Sequence, residues 1–134
     1  MASRSVELFS ALYSTLSTDA PLTALIDIGQ VFDYPLTGAQ PPYVVIGDET
    51  AINDGSDLVD AQEHTITIHV WSEQQSTLEA KRIIQAVRNA LHMQRPTMSA
   101  GRIVNLRNEH QEIMRDPDGV SIHGVMRFRA VVTS

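Results

Sequence analysis

An α+β fold is what the sequence predicts. Three observations lead to it: apolar residues at helical spacing near the N-terminus and again over 79–91, strict alternation through 64–71, and two strand-like runs joined by a turn near the C-terminal end. At 134 residues, 43% apolar and 19% charged, the chain has the size and composition of one domain with one core. Neither an internal repeat nor a low-complexity tract interrupts it.

The elements follow in order. Leu8, Phe9, Leu12, Tyr13 and Leu16 recur at spacings of three and four, one face of a helix over residues 5–17 capped by Ser3 or Ser5. Past Asp19 and Pro21, Leu22, Leu25 and Ile26 predict a short second helix ending near Gly29. Val31 to Tyr34 reads as a short strand. The stretch from Pro35 to Pro42 is too proline-rich for the middle of a sheet and should cross an edge. Tyr43 to Gly47 is a continuous apolar run suited to a buried strand.

Residues 48–61 turn polar, with Asp48, Glu49, Asp54, Asp57 and Asp60 and no basic residue, and predict a long acidic mobile loop. Ser76-Thr77-Leu78-Glu79 has the form of a capping box. The helix after it buries Ala80, Ile83, Ile84, Val87 and Leu91, with Glu79, Lys81, Arg82, Gln85, Arg88 and Asn89 opposite. Arg102–Arg115 and Val120–Val132 form a β-hairpin around Asp116-Pro117-Asp118-Gly119, with a bulge expected at Gly119. In the second arm Ile122, Met126, Phe128, Ala130 and Val132 point one way, toward the helices, and His123, Arg127 and Arg129 the other.

Composition narrows function. With no cysteine, disulfides, thiolate metal sites and cysteine nucleophiles drop out. No stretch approaches the roughly 18 apolar residues of a membrane span, and no apolar leader begins the chain, so folding in a cytoplasm is expected. The net charge of −6 argues against a sequence-reading DNA binder, although an acidic wall lets a strand slide past without sticking.

Candidate chemistry is sparse. His64 and His69 flank the alternating run, but side chains five apart on a regular strand face opposite ways, so one metal cannot take both. His64 lies with Ile66, Ile68 and Val70, whereas His69 lies with Thr65, Thr67 and Trp71. His92, near a helix end, suits a cation or an imidazole bonded to a carbonyl. His69 and His123 could meet across strands, but each reads as a structural histidine. The Arg115–Gly119 carboxylates lack the ligand pattern of a calcium loop and are explained by the turn. No glycine-rich phosphate loop, nucleophile elbow or paired-carboxylate signature is present, so no catalytic, cofactor-binding or metal residue is assigned. Arg127 and Arg129, with Arg107 and Arg102 on the preceding strand, make a basic stripe. It reads equally as an ion-paired sheet face and as a contact complementary to acidic residues of a neighbouring copy.

Several stretches, EHTITIHVWS (63–72), EAKRIIQAV (79–87), VNLR (104–107), RDPDG (115–119), HGVMRFRAV (123–131) and PPYVVIGDE (41–49), together resemble the small tail-completion, or tail terminator, proteins of long-tailed phages and gene transfer agents. The resemblance covers nearly the whole of 1–134. It implies a mostly antiparallel sheet with helices on one face, assembled as a hexameric ring at the head-proximal end of the tail tube. Such a ring stops tube polymerisation and meets the head-side connector, with DNA passing through a channel unread. By the same resemblance, loop 48–61 is expected at the channel or an axial face and hairpin 104–132 in subunit or tube contacts. Trp71, His69, Arg107, Arg127 and Arg129 are the interface candidates. The implied protein is a virion part assembled in a bacterial cytoplasm, with no cofactor and no membrane partner. A head-side connector ring of the same neck is the nearest alternative, and a small histidine-dependent enzyme or ligand-binding domain the alternative from another class.

Overall fold

A computed structural model describes residues 3–34, 37–56 and 59–134. Helix α1 (Arg4–Thr18) begins at Ser3, whose hydroxyl accepts from the Val6 amide. Leu8, Leu12 and Leu16 are buried on one face, joined by Ala11. Each leucine contributes roughly 1.5–3 kcal/mol against about 1 kcal/mol for the cap, so packing and not capping holds α1 in place. Tyr13, expected inside, is 40% exposed and stacks on Phe9 at the flank. Helix α2 (Ala20–Ile26) is capped by Asp19, whose carboxylate accepts from the Leu22 amide at 3.1 Å, and Pro21 falls in the first turn where its missing N–H costs nothing.

Strand β1 is only Val31–Phe32, shorter than the 31–34 expected, and pairs in parallel with β2 (Tyr43–Asn53). Strand β3 (Ala61–Ser72), helix α3 (Leu78–Leu91), β4 (Arg102–Arg115) and β5 (Ile122–Thr133) complete the chain. The sheet order is β1-β2-β3-β5-β4, with every pair but the first antiparallel. Since β1 is the outer strand, the proline-rich segment leading from it lies at an edge, as expected; Pro35 itself lies outside the described residues.

The core lies between one sheet face and the helices. From β3 come Ile66, Ile68 and Val70, from β5 Met126, Phe128, Ala130 and Val132, and from α3 Ala80, Ile83, Ile84, Val87 and Leu91. Burial alternates residue by residue along β3 and β5, which puts their other side chains on a face that no helix of the described residues covers. α3 approaches closely because Gly124 leaves room for Ile84: a Cβ on residue 124 would fall 2.7 Å from Ile84 Cδ1 and 3.3 Å from Val70 Cβ.

Three local expectations are corrected. Half of the long loop at 48–61 is strand: Glu49 to Asn53 pair with Ile66 to Gln62, and residues 54–60 connect the arms. Pairing with β3 overrides the polar composition, as cross-strand partners usually outweigh intrinsic preference. The capping box does not form. Thr77 is the N-cap without a side-chain bond, Ser76 accepts from the Leu78 amide, and Glu79 accepts from the Ser72 hydroxyl at 2.7 Å. The carboxylate is thus drawn to the end of β3 instead of its own helix terminus. The final turn closes with the Gly119 amide on the Asp116 carbonyl and Gly119 at φ +75°, but the bulges lie within β4, at Ile103/Asn105 and Asn108/His110.

Gly124→Ala should destabilise the fold by about 1–3 kcal/mol in urea unfolding through overpacking. Ile84→Val, which removes the atom in the way, should recover part of that loss in the double variant, a coupling read from the mutant cycle.

Candidate functional site

The helix-free face carries the side chains that the core rejects. Trp71 pairs with Tyr43 on one side and His123 on the other, so the register of three strands gathers aromatic and imidazole rings at one end of the sheet. Trp71 stacks on His123 with centroids 3.9 Å apart and planes 7° from parallel. Nδ1 of His69 lies 2.8 Å from Nε2 of His123, so one imidazole N–H donates to the other ring. These three, with Val45, Gly47, Asp48, Asp33 and Tyr34, bound a hollow of about 470 Å³. Gly47 sits in the bulge where β2 shifts register between Ile46 and Glu49, and a Cβ there would meet the His69 ring at 2.9 Å. The hollow therefore depends on a residue without a side chain.

Both imidazoles titrate below their ordinary range. For His69 burial is the main cause, opposed by nearby Asp48; for His123 burial dominates, reinforced by His69. The N–H between them suits two neutral rings, and charging both would place like charges together. His92 is also lowered, by burial and by Arg88 and Arg107. Its Nδ1 accepts from the Asn108 amide at 2.9 Å, so it serves the β4 bulge as a neutral acceptor and neither as a helix-end cation nor as a donor to a carbonyl.

His64 turns to the opposite face, fully buried, with one ring nitrogen against the Glu49 carboxylate and the other 3.1 Å from the Gln62 side-chain oxygen. Glu49 also accepts from Ser5 of α1 at 3.1 Å. The pair is thus a tie between the β2–β3 arm and α1. As the alternation required, His64 and His69 share no site, and no group of three metal-ligating side chains occurs among the described residues.

The acidic residues of 48–61 do not act as one patch. Asp48 lines the hollow, Glu49 holds His64, Asp54 begins the connection between strands, and Asp60 accepts from Arg4 at 3.2 Å. Asp57 lies outside the described residues. The basic stripe also divides. Arg129 forms a two-bond ion pair with Glu63, both contacts at 2.9 Å, which lowers the Glu63 pKa and raises that of Arg129. Arg127 and Arg107 are exposed, and among the described residues neither side chain has an ion-pair partner. Asp33, Tyr34, Val45 and Gly47 were not singled out from the sequence as site residues. Glycine directly after the run Tyr43 to Ile46 was the available signal for a bulge.

An aromatic, half-buried sheet face without nucleophile, metal set or phosphate cradle among the described residues defines a class of protein built for contact. The comparisons give that class a name. A family model described as "Tail completion protein gp17" matches residues 10–133, and the chain belongs to that family. It is 28% identical to the "Tail completion protein gp17" of Bacillus phage SPP1, over 100% of this chain and 96% of that protein. The solved structure of bacteriophage SPP1 gp17 superposes with a TM-score of 0.64 at 27% identity, covering 94% of this chain and 88% of that one. A chain from the virion of a native gene transfer agent particle superposes with a TM-score of 0.91 at 26% identity, covering 100% of both. The protein is a structural virion component of the tail completion class and not an enzyme. No helix of the described residues is long and apolar enough to cross a membrane.

The lowered imidazoles fix the sign of a pH effect. The unfolded chain takes up protons near pH 6.5 while folded His69 and His123 resist them, so stability holds above that value and falls as pH drops through it toward the depressed pKa values. Urea midpoints measured from pH 7.5 to 5 should fall more steeply for the wild type than for a His69→Gln/His123→Gln variant.

Proposed function

We propose that this protein is a tail terminator: a ring of identical subunits, hexameric by the family resemblance, seated at the head-proximal end of the tail tube. The ring stops further addition of tube subunits and offers its other side to the head connector. The observation that carries this reading is the full-length likeness, at a TM-score of 0.91, to a chain of a gene transfer agent particle. Two features support it. Half of each central strand's side chains remain outside the core on an amphipathic face suited to neighbours, and a net charge of −6 suits a channel past which DNA slides without binding.

Terminator and head-side connector are separated by deletion of the gene. Electron microscopy of the resulting lysate should show headless tails of uncontrolled length. Tails of normal length beside DNA-filled heads that fail to join would make the protein a connector ring instead. Trp71→Ala should leave the circular dichroism spectrum unchanged while lowering the yield of joined particles about tenfold or more, as expected when an aromatic anchor worth about 2 kcal/mol is removed from an interface.

A further inference from the structure

We propose that the hollow bounded by Trp71, His69 and His123 receives the guanidinium group of Arg107 from an adjacent copy of this chain. The inference rests on the ring reading and names the contact that would build the ring. It follows from unmatched charges at the two sides of one sheet.

On the first side, the hollow joins an aromatic floor to the carboxylates of Asp33 and Asp48, neither of which has a hydrogen-bond or ion-pair partner among the described residues. A planar cation that stacks on an indole while its N–H groups reach carboxylates matches this lining, and that cation is a guanidinium. An ammonium, more strongly hydrated and without a flat face, matches it less well.

On the second side, Arg107 stands directly across from Arg129 in the β4–β5 ladder. Like charges placed opposite one another destabilise a strand pair. Arg129 is relieved by Glu63, whereas Arg107 has no partner among the described residues. β4 is the outer strand, so Arg107 can reach sideways to a neighbour, while Arg127 lies one strand further in. The hollow is built from β2, β3, the start of β5 and the residues after β1, toward the other edge. Donor and acceptor are therefore different patches of one subunit, and their pairing is heterologous. Such a contact propagates head to tail and closes into a ring when the rotation allows.

The test uses the purified full chain, with size measured by native mass spectrometry and the hollow read by fluorescence, since Trp71 is the sole tryptophan. Wild-type protein should assemble with rising concentration, and its emission should shift in step. Arg107→Glu and Asp48→Lys should each remain monomeric with an unchanged circular dichroism spectrum, and the milder Arg107→Gln should weaken assembly about tenfold. Mixed in equal amounts, the two charge-reversed variants retain one intact half-contact between them, so they should form a heterodimer that grows no further. A chain carrying both reversals should stay monomeric as well, because a carboxylate at position 107 offers the indole no planar cation and meets Asp33 in the hollow. Wild-type-sized oligomers from folded Arg107→Glu, or no heterodimer from the mixture, would overturn the contact while leaving the ring intact. Wild-type protein that stays monomeric at every concentration, and on purified tail tubes as well, would overturn the ring reading and this inference with it.

Discussion

Everything in this structure depends on the period of two along its central strands. β3 and β5 pair over their full lengths, and every second side chain of each is sealed against α1 and α3. A slip of one residue would drive Thr65, Thr67, His69 and Trp71 into the core and put Ile66, Ile68 and Val70 in water. The apolar set therefore determines the register. The register in turn determines which polar and aromatic side chains meet on the far face. The contact between Trp71 and His123 is a by-product of burying Val70 and Ile122 correctly.

The same constraint sorts the charges. β2 changes register by one residue at Gly47 and Asp48, so Asp48 stays at the hollow while Glu49, its neighbour in sequence, turns to meet His64 and Ser5 near α1. One bulge thus divides two adjacent acids between a surface and a structural tie, and it leaves the space that the His69 ring occupies. Farther along the same face, Glu63 answers Arg129 and leaves Arg107 over. Among the described residues Arg4 and Arg129 are the arginine side chains with an ion-pair partner, so Arg107 and Asp48 keep charges that the fold itself does not answer.

Legibility followed the range of the interactions involved. Helix α3, the C-terminal hairpin and the facing of β3 rest on spacing within a single segment, and each was readable from the residues concerned. The acidic run misled because strand pairing at 49–53 comes from β3, nine to seventeen residues away, and a polar strand segment has the composition of a loop. Ser76 and Glu79 had the right spacing for a capping box, yet the Ser72 hydroxyl is a nearby competitor that local pattern does not weigh. The hollow was half legible. Trp71 and His69 stood out, whereas Asp33 and Tyr34 enter it only because parallel β1 delivers them to the edge of β2.

The sequence by itself determined the class of fold, the apolar faces, the turn at Asp116–Gly119 and the opposed directions of His64 and His69. All of these follow from local periodicity and backbone preference. It also carried the family resemblance, through short stretches whose order and spacing survive without a single diagnostic motif. Only the tertiary structure decided that His69, His123 and Trp71 meet, that Glu49 supports a buried imidazole, and that Arg129 is matched while Arg107 is not. Those outcomes depend on strand order and on single-residue register shifts, which place residues from distant parts of the chain within a few ångströms and have no signature in any one segment.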